Sequence, residues 1–199
     1  MENGLRQAME RRAARIENLR SEIASLPAGA FGGAATFEIG CGKGHYLSAY
    51  GQAHPGEMCV GIDLISARVR DGERRSGMRG NRNVFFMKAE CGEFLEAARG
   101  ALKFSRVFIF FPDPWPKKRH HRRRLIQPDF LTDLAGACLP GAELWFRTDH
   151  AEYFEWSLGV FEAHPLWGVE PGAALPFEEV SQFQRILPVF STMKAVLRS

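Results

Sequence analysis

Five short apolar runs, Ala34 to Ile39, Met58 to Ile62, Val84 to Met87, Val107 to Phe111 and Leu144 to Phe146, recur along the chain with helical stretches between most of them. Regular strand-helix alternation points to an α/β fold built on a mostly parallel sheet, because neighbouring parallel strands need a crossover that a helix supplies and helices then cover both faces. Pro140-Gly141 predicts the turn into the fifth strand. Upstream, residues 1 to about 25 read as an amphipathic helix. Leu5, Met9, Ile16, Leu19 and Ile23 fall near one face, and Leu26-Pro27-Ala28-Gly29 ends it. A further helix is expected from Ala151 through Phe161, and an apolar strand around Met193 to Leu197. With no repeat, low-complexity tract or linker, the 199 residues read as one domain, long enough to bury about 70% of the unfolded chain's surface.

Cys41, Cys59, Cys91 and Cys138 show no C-x-x-C spacing, so they read as free thiols, with no metal site expected. No apolar run approaches the roughly 20 residues of a membrane span, and the N-terminus reads as charged helix. A cytoplasmic protein without membrane association is expected.

Charge is distributed unevenly. The net formal charge is +3, yet Lys117-Lys118-Arg119-His120-His121-Arg122-Arg123-Arg124 alone carries six positives, leaving the remainder net negative. A basic patch set between apolar elements suits phosphate, because Lys and Arg that neutralise phosphates release condensed counterions. A solvated or localisation-type run is the alternative.

The first apolar run leads into Glu38-Ile39-Gly40-Cys41-Gly42-Lys43-Gly44. Three alternating glycines let backbone approach a bound cofactor without Cβ interference. His45 stands where a dinucleotide fingerprint wants its third glycine, so the spacing and the preceding acid favour S-adenosylmethionine over NAD. Asp63 ends the second run, the position and chemistry for holding both ribose hydroxyls. Glu90 follows the third run and can accept from an adenine amino group, unless it is simply a surface acid at a strand end.

The fourth run enters Phe110-Phe111-Pro112-Asp113-Pro114-Trp115-Pro116, followed at once by the basic segment. Ligands of open α/β sheets bind beyond the carboxyl ends of strands, and here that position holds one acid between two prolines that restrict φ. Trp115 offers a flat face for stacking an extruded base. A rigid turn with Trp115 as a core anchor is the bland alternative.

Together, Phe110 to Phe130, the Glu38 to Gly44 loop, Gly61-Ile62-Asp63 and Arg147-Thr148-Asp149 closely resemble the bacterial tRNA (guanine-N7)-methyltransferase family. The resemblance implies a Rossmann-like class I methyltransferase with a mostly parallel, seven-stranded sheet, using S-adenosyl-L-methionine to methylate guanosine forty-six in the tRNA variable loop. It implies cofactor contacts from Glu38, Gly40, Gly42, Gly44, Asp63, Glu90 and Asp113, with Asp113 also catalytic. Lys117, Asp149, Ser181 and Gln184 would contact the substrate, and Arg119, His120, His121, Arg122, Arg123 and Arg124 would bind the RNA. The partner is then tRNA, with no obligatory protein partner, and the enzyme a monomer or homodimer.

This chain departs from the family pattern where Ser181-Gln182-Phe183-Gln184 stands for Thr-x-Phe-Glu, where Glu90 replaces an Asp, and ahead of the first strand, where no counterpart of an Arg/Gly-containing segment is found. Either Glu178 or Glu179 compensates for the carboxylate that Gln184 lacks, or turnover is slower. A small-molecule methyltransferase, and an RNA-binding module retaining a relic cofactor site, are the competing readings. The basic run opposes the first, and the intact glycine loop with Asp63 and Asp113 opposes the second. Metal-dependent phosphoryl chemistry is remote, because Gly44 follows Lys43 where a phosphate loop needs Ser or Thr.

Overall fold

The computed structural model describes residues 2–170, 172–179 and 189–198. Its strands are β1 (Ala34–Ile39), β2 (Met58–Asp63), β3 (Val84–Lys88), β4 (Lys103–Phe110), β5 (Cys138–Thr148), β6 (Trp167–Glu170) and β7 (Ser191–Leu197). They form one sheet in the order β3-β2-β1-β4-β5-β7-β6. Strands β1 to β5 pair in parallel, while β7 runs antiparallel between β5 and β6. The expected runs fall on β1 to β5 and β7. The short β6 completes the seven implied by the resemblance.

The helices are α1 (Glu2–Ala24), α2 (His45–Ala53), α3 (Ser66–Met78), α4 (Cys91–Ala98), α5 (Pro128–Ala137) and α6 (Ala151–Ala163). Contacts of α4 with α1 and α5, and of α5 with α6, place these helices on one face, whereas α2 and α3 pack together on the other. The strand pleat divides β1 between two cores. Ala35, Phe37 and Ile39 join the larger cluster with Phe94, Phe104, Leu131 and Trp167. Across the sheet, Tyr46, Leu47 and Tyr50 of α2 pack with Phe86, Phe108 and Trp145, and Ala173, Leu175 and Phe177 lie against them. Each large apolar side chain so buried contributes about 1.5–3 kcal/mol.

Two expectations are refined. Ile16, Leu19 and Ile23 are buried and α1 packs on α4, but Leu5 and Met9 remain exposed. Pro140-Gly141 does not precede β5 but lies inside it: pairing with β4 jumps from Phe104↔Cys138 to Arg106↔Glu143, and Gly141 takes φ 78° in the excursion. Phe86, on β3, seats its ring in a notch formed by glycines. A Cβ on Gly44 would lie 2.6 Å from that ring, and one on Gly61 or Gly72 3.0 Å from it.

The strand order reverses direction between β1 and β4, opening a crevice at the carboxyl ends of those strands. No helix among the described residues is long and apolar enough to cross a membrane.

Candidate active site

The glycine loop leaves β1 at this crevice. Gly40, Gly42 and Gly44 adopt φ 74°, 55° and 65°, a left-handed alternation that L side chains resist. The backbone N–H groups of Gly40 and Cys41 both donate to the Ile62 carbonyl at 2.9 Å, which closes the loop over the end of β2. Asp63, buried at that end, accepts from Gly42 N–H through Oδ2 (3.1 Å) and from Ile65 N–H through Oδ1 (2.8 Å). Arg68 stands 3.6 Å away. A carboxylate accepts about four hydrogen bonds, so Asp63 fixes the loop and keeps lone pairs for a ligand.

Glu38 projects from β1 to the α2 side. It accepts from the Leu47 N–H in the first turn of α2, while its Oε2 is buried without a partner among the described residues. Burial pushes its carboxyl up to about 8; that backbone hydrogen bond pulls the other way, and nearby Asp63 adds repulsion. Burial likewise raises the Cys41 thiol beside it.

Glu90 is the N-cap of α4: its Oε2 accepts from Glu93 N–H at 3.0 Å, leaving the rest of an exposed carboxylate available. Gly40, Asp63, Leu64, Ala89, Glu90, Asp113 and Trp115 line one cavity of about 310 Å3. Acids at two strand ends, a loop open to close backbone approach and apolar walls fit the adenosine part of S-adenosylmethionine, and the cavity lies within the size range of small-molecule sites.

Asp113 is exposed in the loop after β4. Two non-glycine residues flank it with positive φ, Phe111 at 51° and Trp115 at 44°. Such conformations cost about 1–3 kcal/mol each and persist only where the surroundings impose them. Here Phe111 N–H donates to the Arg147 carbonyl at 2.8 Å, and the Pro114 carbonyl accepts from Arg124 Nε at 2.9 Å. Trp115 is partly exposed, with the Arg123 guanidinium over its ring at 5.0 Å and His120 edge-on at 5.8 Å.

The basic segment folds as a 3-10 helix, Lys118–Arg123. Its three-residue period divides the run into faces. Lys117, Lys118, Arg119, Arg122 and Arg123 are exposed. His121 and Arg124, three residues apart, turn inward. His121 packs on Trp156 (5.4 Å) with its Nε2 buried and without a partner among the described residues. Arg124, expected with the RNA-binding run, is fully buried and pairs through both Nη atoms with Glu152. The outward surface is therefore narrower than the linear charge run.

Asp149 is exposed just past β5, ahead of α6. Because Phe110 pairs with Arg147, Asp113 and Asp149 leave the sheet from adjacent strand ends. Arg147, which sequence reading valued only within its motif, is buried and binds Glu178 and Thr192. Glu179 lies 3.7 Å from Arg79. Ser181 and Gln184 lie outside the described residues.

A family model described as "Putative methyltransferase" matches residues 33–182. The tRNA (guanine-N(7)-)-methyltransferase of Leifsonia xyli is 36% identical over 155 residues, covering 75% of this chain and 68% of that protein. That of Nocardia farcinica is 38% identical over 129 residues, covering 65% and 48%. The chain thus spans about half to two thirds of these curated relatives. In fold it is similar to the 16S rRNA methyltransferase KamB (TM-score 0.60, 16% identity, 94% of both chains) and to TrmN from Thermus thermophilus (0.59, 13% identity, 92% of this chain and 48% of that one). The family match spans the glycine loop, both strand-end acids and the whole Asp113 loop. The chain belongs to the tRNA (guanine-N(7)-)-methyltransferase family.

Proposed function

We propose that this chain is a cytoplasmic enzyme that transfers the methyl group of S-adenosylmethionine to N7 of guanosine forty-six in the tRNA variable loop. One juxtaposition carries the reading. Asp113 and Trp115 line the same cavity as Asp63 and Glu90, and an outward-facing cationic segment runs directly from that loop.

Guanine N7 exposes a lone pair in the neutral base, so no proton has to be removed before attack. S-adenosylmethionine supplies an electrophilic methyl on a positively charged sulfur. Asp63 would hold the ribose hydroxyls and Glu90 the adenine edge. What remains is to hold N7 in line with that methyl, an entropic gain that can reach about 7–11 kcal/mol in favourable cases. As charge moves onto the guanine ring, carboxylates at Asp113 and Asp149 stabilise it and accept from the N1–H and amino donors. Lys117 is exposed where the Asp113 loop enters the basic segment, and the resemblance adds it, with Ser181 and Gln184, as a substrate contact.

The test is transfer of labelled methyl to unmodified tRNA, beside a transcript whose variable-loop guanosine is replaced by adenosine. Label on the first transcript alone supports the reading. Label on both overturns the position, and label on neither, with cofactor bound, overturns the substrate. Asp113→Ala should abolish single-turnover transfer while tRNA binding persists; undiminished turnover would remove Asp113 from the mechanism.

A further inference from the structure

We propose that Arg124 is a positioning residue for the Asp113 and Asp149 carboxylates and makes no contact with RNA phosphate. The inference rests on the reading above for what those carboxylates do. The position of Arg124, at the end of six formal positives, suggests the opposite role.

Its side chain is fully buried. Nε donates to the Pro114 carbonyl at 2.9 Å, Nη1 donates to Glu152 Oε1 at 3.2 Å, and Nη2 binds Glu152 Oε2. The guanidinium carbon lies 4.9 Å from the Tyr153 ring and 5.2 Å from the Trp156 ring. A guanidinium engaged along its edge and covered by aromatic rings has no face left for a phosphate.

The Asp113 loop needs such a partner. Pro112, Pro114 and Pro116 have no N–H, so within this stretch only Asp113 and Trp115 can donate backbone hydrogen bonds and the loop has few of its own to hold it. The peptide between Pro114 and Trp115 must be held from outside if Trp115 is to stay at φ 44°. Arg124 supplies that hold. The other end of the clamp is α6, which carries Glu152, Tyr153 and Trp156 and begins two residues after Asp149. One buried cation thus ties the loop bearing Asp113 to the helix that follows Asp149, fixing the two acids relative to each other.

Lysine in this position keeps the charge but loses the planar fork, so Arg124→Lys is the informative variant. Glu152→Gln, at a half-exposed partner, provides a second probe if Arg124→Lys folds poorly, and Arg122→Ala on the outward face is the comparator. Turnover and tRNA affinity are measured across a salt series, and cofactor affinity by calorimetry.

Misplacement of reacting groups by about 1 Å costs on the order of 100-fold. Arg124→Lys and Glu152→Gln should therefore lower kcat by about 10- to 100-fold while KM for tRNA and the salt slope of binding stay at wild-type values. Arg122→Ala, by contrast, should lower the salt slope by about one and weaken tRNA affinity. A reduced slope with full kcat for Arg124→Lys would make Arg124 a phosphate contact and overturn the proposal, as would wild-type behaviour in both. If the wild-type protein transfers no methyl to tRNA, the functional reading fails separately. Calorimetry then decides, because Asp113 and Trp115 line the cofactor cavity: weaker cofactor binding by both variants supports the clamp, and unchanged binding overturns it.

Discussion

The guanidinium of Arg147 holds the carboxylate of Glu178 through two hydrogen bonds, 3.0 and 3.4 Å long, while its Nε donates to Thr192 Oγ1 at 2.9 Å. The Phe190 ring lies over the same cation at 4.4 Å. One buried side chain at the end of β5 therefore fastens the chain on both sides of residues 180–188. Arg147→Ala should cost more stability than Glu178→Ala, because it removes the Thr192 bond and the packing on Phe110 and Phe190 together with the ion pair. In a double-mutant cycle followed by thermal denaturation, the pair should show a coupling of about 1 kcal/mol. Additive effects would show that the two residues stabilise the fold independently.

Glu178 pairs with Arg147 and Glu179 stands 3.7 Å from Arg79, so each of these carboxylates already faces a cation. Gln184 brings an amide where the family pattern has an acid, and an amide carries no charge to stabilise a methylated guanine. Gln184→Glu should raise kcat several-fold at unchanged cofactor affinity. Equal rates would mean that the missing carboxylate is dispensable.

Glu38 predicts a pH dependence of the ligand-free protein. Burial raises its carboxyl to about 8 in the folded state, against an ordinary 4.5. Between these values the unfolded chain has released a proton that the folded chain still holds. Stability is therefore complete below about pH 4.5 and falls as pH rises through 8, by at most about 1.4 kcal/mol per unit. Glu38→Gln should flatten the melting temperature against pH in that window, with other titrating groups common to both proteins. Parallel curves for variant and wild type would contradict the burial argument.

The two faces of the 118–123 helix should separate in binding. Arg119 and Arg122, three residues apart, point outward, whereas His121 packs on Trp156. Each outward residue replaced by Ala should reduce the log-log salt slope of tRNA binding by about 0.7 to 0.9 in a filter-binding titration. His121→Ala should leave the slope unchanged and lower the melting temperature. The reverse pattern would place the RNA on the other face.

The sheet was largely legible because β1, β2 and the carboxyl halves of β4 and β5 carry apolar runs, which burial on both faces requires, while β7 buries alternate residues. β6 left no such mark: it has four residues, a glycine among them, and only Trp167 is fully buried, so it is a strand by virtue of pairing with β7. At the site, the glycine loop and Asp63 were readable because their partners are local or one strand away. Arg124 and Arg147 were not. Their sequence neighbours give no sign that each guanidinium meets acids and rings brought by distant elements, and a count of charges treats a buried fork and a solvated one alike.

The interior place of β7 orders events during synthesis. β6 emerges first, yet among the described strands its only neighbour in the sheet is β7. Until Ser191 to Leu197 have been made, the edge of β5 lies open, β6 has nothing to pair with, and the Arg147 to Thr192 bond cannot exist. A nascent chain can thus hold its cofactor loop while its substrate side is still unbuilt, with an unpaired strand edge exposed to other chains for that interval.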